Sequence, residues 1–299
     1  MMKKLVMKIL LGICVIFIII FSLFPIYWIF VSSISTRIEL YSVPPHWIPY
    51  NPTLDNYIIL LFGAKEVLAK IPFAERYKVS FSYAAESFLP GLRNSIILAI
   101  SVAFISIIVS TISGYVFARY NIRGKNALFF IVIILIPLPI WVSLVQLYSL
   151  MKDLKLLDTL VGLCLLHLVY RVPFDSWLMR TFFEALPKEI EEASFIDGCS
   201  RLSSLRKVLL PIIAPALSSV LIISFLSTWS SFLIPLIFSS SLNSQPLTVI
   251  LAGFFRFEEP LYEMMSAAAI IGLIPSLIFI IFFQRYIVSG LLTMVAYKG

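Results

Sequence analysis

The sequence predicts an all-α, polytopic membrane fold with six transmembrane helices, and three observations carry that prediction. Side chains are 60% hydrophobic and only 13% charged over 299 residues, against about 25% charged in a soluble domain. The apolar residues are gathered into blocks of about 20 residues or more, the length that crosses the hydrocarbon as a helix. Basic residues are shared unevenly between the connections, as in a chain threaded alternately through a membrane.

The blocks run Leu5–Val31, Leu92–Ala118, Ala127–Leu150, Leu160–Phe183, Ile212–Phe238 and Met264–Val288. Lys3 and Lys4 precede the first, which invites a signal-peptide reading. Its apolar run is too long for that and no small-x-small cleavage site follows, so it reads as a retained anchor. Six helices occupy most of the chain and leave no room for a separate soluble domain. Residues 1–299 are therefore expected as a single transmembrane domain, with a long connection at 32–91 and a shorter polar one at 186–207.

Lys and Arg in short loops near the spans set orientation. The amino terminus carries Lys3, Lys4 and Lys8; the second connection carries Arg119, Arg123 and Lys125. The fourth carries Arg180, Lys188, Arg201, Arg206 and Lys207, and the tail has Arg285 and Lys298. Opposite lie Lys152, Lys155 and Arg256, with further basic residues in the long first connection, which counts for less. Both termini are expected in the cytoplasm. The net charge of +7 follows from this asymmetry and calls for no nucleic-acid partner.

The first connection opens with Tyr41-Ser-Val-Pro-Pro-His-Trp-Ile-Pro-Tyr-Asn-Pro-Thr, which cannot be helical because proline removes donors and restricts its predecessor. Leu54–Lys78 is mildly amphipathic and is expected to form one or two surface helices. His46, beside prolines, reads as structural. Cys14, Cys164 and Cys199 make neither a disulfide framework nor a metal-ligand spacing.

The fourth connection is the most informative. Pro187 suits the first helical position, Glu189 and Glu191 suit the positive end of a helix dipole, and Gly198 suits a C-terminal cap. A short helix closed by a sharp turn is expected, followed by a second helix from Ser200 that runs into the fifth span. Pro211 and Pro215 would bend that helix. A short polar helix tethered at both ends by membrane helices is a lever suited to docking a partner; a solvated charged loop needs neither the cap nor the glycine.

At these residues the chain resembles the membrane subunits of binding-protein-dependent ABC importers. Their cytoplasmic signature appears here as Glu192-Ala193-Ser194, Gly198, Val208 and Leu210-Pro211 with every spacing kept, Ser194 and Val208 standing for Ala and Ile. Further segments resemble the maltose-type carbohydrate-uptake permeases: Pro44–Pro49 with Pro52–Tyr57, Arg93-Asn94-Ser95, Tyr115 with Ala118-Arg119, Leu157-Asp158-Thr159, Gln284-Arg285-Tyr286, Gly290 and Lys298-Gly299. The resemblance runs from about Ile34 to Gly299. Two departures, Trp229-Ser230 where the family often has Trp-Asn and a longer stretch between Leu60 and Leu89, bear on the substrate.

The resemblance implies the type I importer permease fold in a prokaryotic inner membrane. It implies a second homologous permease, two ATPase subunits, an extracytoplasmic solute-binding protein and a sugar or oligosaccharide cargo. By the same resemblance Glu192, Ala193, Ser194, Asp197 and Gly198, with Leu210 and Pro211, form the coupling helix that docks on an ATPase, and the tail Tyr297-Lys298-Gly299 reaches the same subunits. ATP and Mg would be held by the partner and no cofactor by this chain. A phosphate-binding loop is missing: at Gly124-Lys125 the following residue is Asn126, and Arg119 holds the first glycine position.

Ionisable groups inside spans are expensive and default to function. Arg171 and Asp175 lie four apart around Pro173, with His167 one turn earlier. Two readings stay open: a polar lining of the solute path, or an internal ion pair holding a kinked helix in register. Trp177, Ser227, Trp229 and Ser230 are further candidates for the path. An ion-coupled transporter would leave the signature connection unexplained, and a membrane enzyme would need a nucleophile or metal constellation that is not visible.

Overall fold

The computed structural model describes residues 2–44, 46–63, 74–134, 136, 140–255 and 260–296, which are helical throughout their regular parts, with no strand among them. The chain divides into two compact units, one formed by residues 1–89 and 250–274 and the other by 90–249 and 275–299.

In the first unit, α1 (Met2–Ser33) is continuous through Pro25. Its apolar side chains from Met7 to Phe24 face outward almost without exception, as a helix against lipid should. After α2 (Arg37–Leu40), capped by Thr36, the chain is irregular until α3 (Asp55–Phe62), as its prolines require. Side chains fasten this irregular stretch. Arg37 Nη1 lies 2.6 Å from Glu263 Oε1, Tyr41 donates to the Pro260 carbonyl at 2.9 Å, and Asn56 Nδ2 donates to the Ser33 and Ser35 carbonyls.

α4 (Ala74–Arg119) corrects the expected start of the second span, which hydropathy placed at Leu92. The added turns are polar enough to hide from a hydropathy reading, yet Phe81, Ala84 and Phe88 recur at helical spacing and are all buried. That amphipathic face was the available signal. The surface helix expected over Leu54–Lys78 is therefore found only as α3, since its last residues belong to α4 and residues 64–73 lie outside the described ones.

In the second unit the third block appears as α5 (Lys125–Ile134) and α6 (Ile140–Asp153). The fourth is α7 (Leu160–Ala185), where Thr159 accepts the Gly162 amide as N-cap. Beyond α8 (Lys188–Ile196), α9 (Arg201–Ile212) meets α10 (Ala214–Trp229) at 79°. Pro211 and Pro215 flank that bend, and residues 205–209 within α9 are π-helical, a second local break in the regular ladder. The fifth block, expected as one span to Phe238, is interrupted after Trp229 and resumes as α11 (Leu233–Phe238). α12 (Leu247–Gly253) precedes α13 (Tyr262–Ala296), the sixth span. Among the described residues Met7–Ser33, Phe81–Arg119 and Tyr262–Phe283 are each long and apolar enough to cross a membrane alone, and the bent α9–α10 pair reaches that length and apolarity only when its two helices are taken together.

Helices α4 and α7 pack side by side through small and hydroxyl side chains. Ser113 and Ser176 hydroxyls are 2.7 Å apart, and Gly114 lies so close to Met179 that an added Cβ would stand 2.6 Å from the Met179 Cβ. In lipid, helices gain little from burying apolar area and much from close approach, so small residues mark such seams.

At the far end of these helices, two segments converge on the loop after α11. Asn94 Nδ2 donates to the Leu242 and Gln245 carbonyls, and Ser95 Oγ accepts the Leu247 amide. Asp158, in the left-handed region at φ 58°, accepts from the Ser240 and Ser241 amides and the Ser244 hydroxyl. Desolvation raises the Asp158 pKa, but the hydrogen bonds from Ser244, Ser240 and Ser241 outweigh it and hold the carboxyl below the usual range. A depressed native pKa contributes stability that is fully present above the unfolded value, about 4, and is lost as pH falls below it. Asp158→Asn is therefore expected to melt below wild type at pH 7, with the gap closing toward pH 3 in thermal unfolding of the detergent-solubilised chain.

Candidate functional site: the helix between the fourth and fifth spans

α8 is built as the spacing of its residues dictates, with one adjustment: Pro187 is the cap and Lys188 the first helical residue. At the other end Gly198 has φ +83°. The Cys199 amide donates to the Ser194 carbonyl and the Gly198 amide to the Phe195 carbonyl, each at 3.0 Å. This is a Schellman closure, which wants glycine because a Cβ is strained at positive φ. Ser200 then caps α9 by accepting the Ser203 amide.

The helix has two unlike faces. Glu192, Ala193, Ile196, Asp197 and Gly198 are exposed, Ile196 to 87%. Glu191 and Ser194 are buried. Ser194 Oγ lies 2.6 Å from both the Glu191 carbonyl oxygen and Ser204 Oγ, so its hydroxyl is turned into the protein. Glu191, assigned by the sequence to the helix dipole, instead meets the end of α4. Its Oε1 accepts from the Tyr115 hydroxyl at 2.6 Å, and its Oε2 lies 3.1 Å from Arg119 Nε. Arg119 Nη2 also donates to the Leu186 carbonyl at 2.9 Å. Behind this cluster lies an apolar core of Tyr115, Met179, Phe183, Leu186, Leu205, Leu209 and Ile213. Leu210 borders that core, and Pro211 is exposed at the bend.

The Glu191–Arg119–Tyr115 cluster went unseen in the sequence. The available signal was the spacing of Tyr115 and Arg119, one helical turn apart at the end of a span, with two acidic residues side by side at 191 and 192.

The second group of candidates sits deeper. Asp175 is fully buried on α7. Arg171 Nη2 donates to its Oδ1 at 2.5 Å, and Ser106 of α4 donates to its Oδ2 at 2.5 Å. The Arg171 guanidinium also lies 5.2 Å from the Phe174 ring centroid. His167 is buried one turn away, with Nδ1 2.8 Å from the Leu163 carbonyl. Ser227 and Ser230 are exposed near the end of α10, and Trp229 stacks on Phe225 at 5.7 Å. Trp177 is 41% exposed. The tail Tyr297-Lys298-Gly299 lies outside the described residues. Among the described residues no group of three or more His, Cys, Asp or Glu is arranged to hold a metal ion.

The arrangement is a short capped helix with a sealed inner face and a bare outer face, slung between two spans. The sequence profile of the binding-protein-dependent transport system inner membrane components matches residues 106–292, which contain the whole of it. The chain belongs to this family. It is a permease of a binding-protein-dependent importer and a multi-pass inner-membrane protein.

Relatives share most of the permease's length. The sulfoquinovosyl glycerol transport system permease protein SmoH of Agrobacterium fabrum is 31% identical over 90% of this chain and 87% of its own. The trehalose/maltose transport system permease protein MalG of Thermococcus litoralis is 30% identical over the full length of both. Among solved structures, a chain of a bacterial ABC transporter that imports the acidic polysaccharide alginate superposes with a TM-score of 0.74 at 20% identity, covering 95% of this chain and 97% of that one. That likeness establishes the fold.

Proposed function

We propose that this permease is one of two homologous membrane subunits that sit on two ATPase subunits and receive a sugar or oligosaccharide from an extracytoplasmic solute-binding protein. The exposed face of α8 carries the reading. Glu192, Ala193, Ile196 and Asp197 present one acidic and one apolar patch to the cytoplasm, and the sealed inner face makes α8 move as a body with the spans. An ATPase cleft would take Ile196 as an apolar knob and pair Glu192 with a basic group, a charge-assisted contact. ATP and Mg belong to that partner, and the tail at 297–299 would reach it too. Closure of the ATPases would displace α8 and switch the cavity between its two openings.

The names of relatives, sulfoquinovosyl glycerol for one and trehalose/maltose for another, support a glycoside cargo. The folded second unit supports the expected sidedness, with both termini cytoplasmic: Asn94, Asp158 and the loop after α11 gather at one end, Arg119 and α8 at the other. For the path, Arg171 and Asp175 pair with each other, which favours a helix-fastening role, while exposed Ser227 and Ser230, the latter with its hydroxyl already donating to the Leu226 carbonyl at 2.9 Å, are the hydroxyl groups on offer to a sugar.

Affinity capture of the permease in gentle detergent, followed by mass spectrometry, tests the docking. Wild type is expected to bring down an ATPase and a second permease. Glu192→Ala with Gly198→Pro is expected to lose the ATPase alone, because proline cannot adopt φ +83° and the turn that aims the helix is destroyed. If no ATPase appears with either chain, the docking reading falls.

A further inference from the structure

A lever that touches only the helices it is joined to moves only those. α8 is covalently continuous with α7 and α9, yet its buried carboxylate reaches a third helix. Glu191 Oε1 accepts from Tyr115 Oη at 2.6 Å and Glu191 Oε2 lies 3.1 Å from Arg119 Nε, both partners on the last turns of α4. The Arg119 and Glu191 side chains are 4% and 7% exposed, so water does not screen the pair. Arg119 spans the joint, holding the Leu186 carbonyl at the end of α7 with its other nitrogen. Such a buried, bidentate-capable guanidinium fixes geometry as well as charge.

We infer that Tyr115, Arg119 and Glu191 are positioning residues that fasten α8 to α4, so that displacement of α8 is passed to α4 as well as to α7 and α9. The proposal rests on α8 being the ATPase-docking helix. Nothing in the fastening uses the exposed face, so docking and transmission are separable. Glu191→Gln keeps the side-chain shape and removes the charge. Arg119→Gln removes the cation, Arg119→Lys keeps it without the fork, and Tyr115→Phe removes one hydrogen bond. Each leaves Glu192, Ile196 and Gly198 in place.

The test uses the assembled complex captured through this chain, with Cys14, Cys164 and Cys199 replaced by alanine and one reporter added. Phe104→Cys reports on α4 and Val169→Cys on α7, both at exposed positions. Maleimide labelling is compared before and after trapping with MgATP and vanadate. With the fastening intact, both reporters are expected to change rate by about fivefold or more, the lower end of common coupling strengths. In Glu191→Gln and in Arg119→Gln the α4 reporter should lose its response while the α7 reporter keeps it and the ATPase still copurifies. Arg119→Lys and Tyr115→Phe should retain part of the α4 response, and the double Glu191→Gln/Arg119→Gln should be no worse than either single change. An α4 response that survives Glu191→Gln, a loss that strikes both reporters alike, or an α4 reporter silent in the intact chain overturns the inference. Absence of ATPase from the intact complex overturns the docking reading and this inference with it.

Discussion

Asp175→Ala is expected to lower the stability of the permease by about 3–5 kcal/mol, the cost of breaking a buried ion pair from one side. The Asp175 carboxylate is wholly buried and receives Arg171 from its own helix and Ser106 from α4. Removing it strands a guanidinium whose side chain is only 13% exposed and whose acidic partner among the described residues is Asp175. The effect is expected as a fall in melting temperature in detergent. Ser106→Ala, which removes one neutral donor to a charged acceptor, should cost about 1.5–3 kcal/mol. Replacing both charges together, Arg171→Met with Asp175→Leu, should recover most of the loss, since apolar isosteres of a buried pair are often as stable as the pair. This double variant also decides between the two readings of the pair: transport that survives it makes the pair structural, and a folded but inactive chain places it on the solute path.

Gly114→Val is the second large expectation. At Gly114 an added Cβ would stand 2.6 Å from Met179 Cβ and 2.7 Å from the Arg180 amide nitrogen. These are backbone and first side-chain atoms, which cannot swing away, so α4 and α7 must separate. Overpacking a core commonly costs about 1–3 kcal/mol, and here the separation also stretches the Ser113–Ser176 and Ser106–Asp175 contacts. Loss of the folded monomer peak on size exclusion is expected, with Gly114→Ala already impaired. Gly12→Leu is the control: nothing lies within 4 Å of a Cβ there, and it should behave as wild type.

The two variants probe the same seam from its polar and its steric side. Within the second unit α4 carries Ser106, Ser113 and Gly114 toward α7 and then Tyr115 and Arg119 toward α8. The helix whose Ser106 meets the buried Asp175 is the helix that receives the carboxylate of α8. This is why Gly114, next to Tyr115, and Asp175, farther along the same seam, should both affect α8.

How much of this was legible in the residues differs from place to place. α8 was, nearly to the residue, because proline, glycine and acidic side chains act through local backbone rules that need no partner. The bend at Pro211 and Pro215 was legible for the same reason. The start of α4 was not: hydropathy measures the match to lipid, and a polar helix extending beyond the lipid carries no such signal. The break after Trp229 was missed likewise, since Ser230-Ser231-Phe232 is neither proline nor glycine and tertiary contacts decide it.

The sequence by itself determined that the chain lives in a membrane and where a short helix capped by proline and glycine lies between two apolar segments, because lipid and the backbone impose these on each segment separately. Only the tertiary structure decided which of two adjacent glutamates faces outward and which is bound. Glu191 and Glu192 have the same chemistry and neighbouring positions, and one step along a helix turns a side chain by about 100°. Which of them meets Arg119 depends on where α4 ends in space, and that is set by helices packing against each other across long stretches of chain.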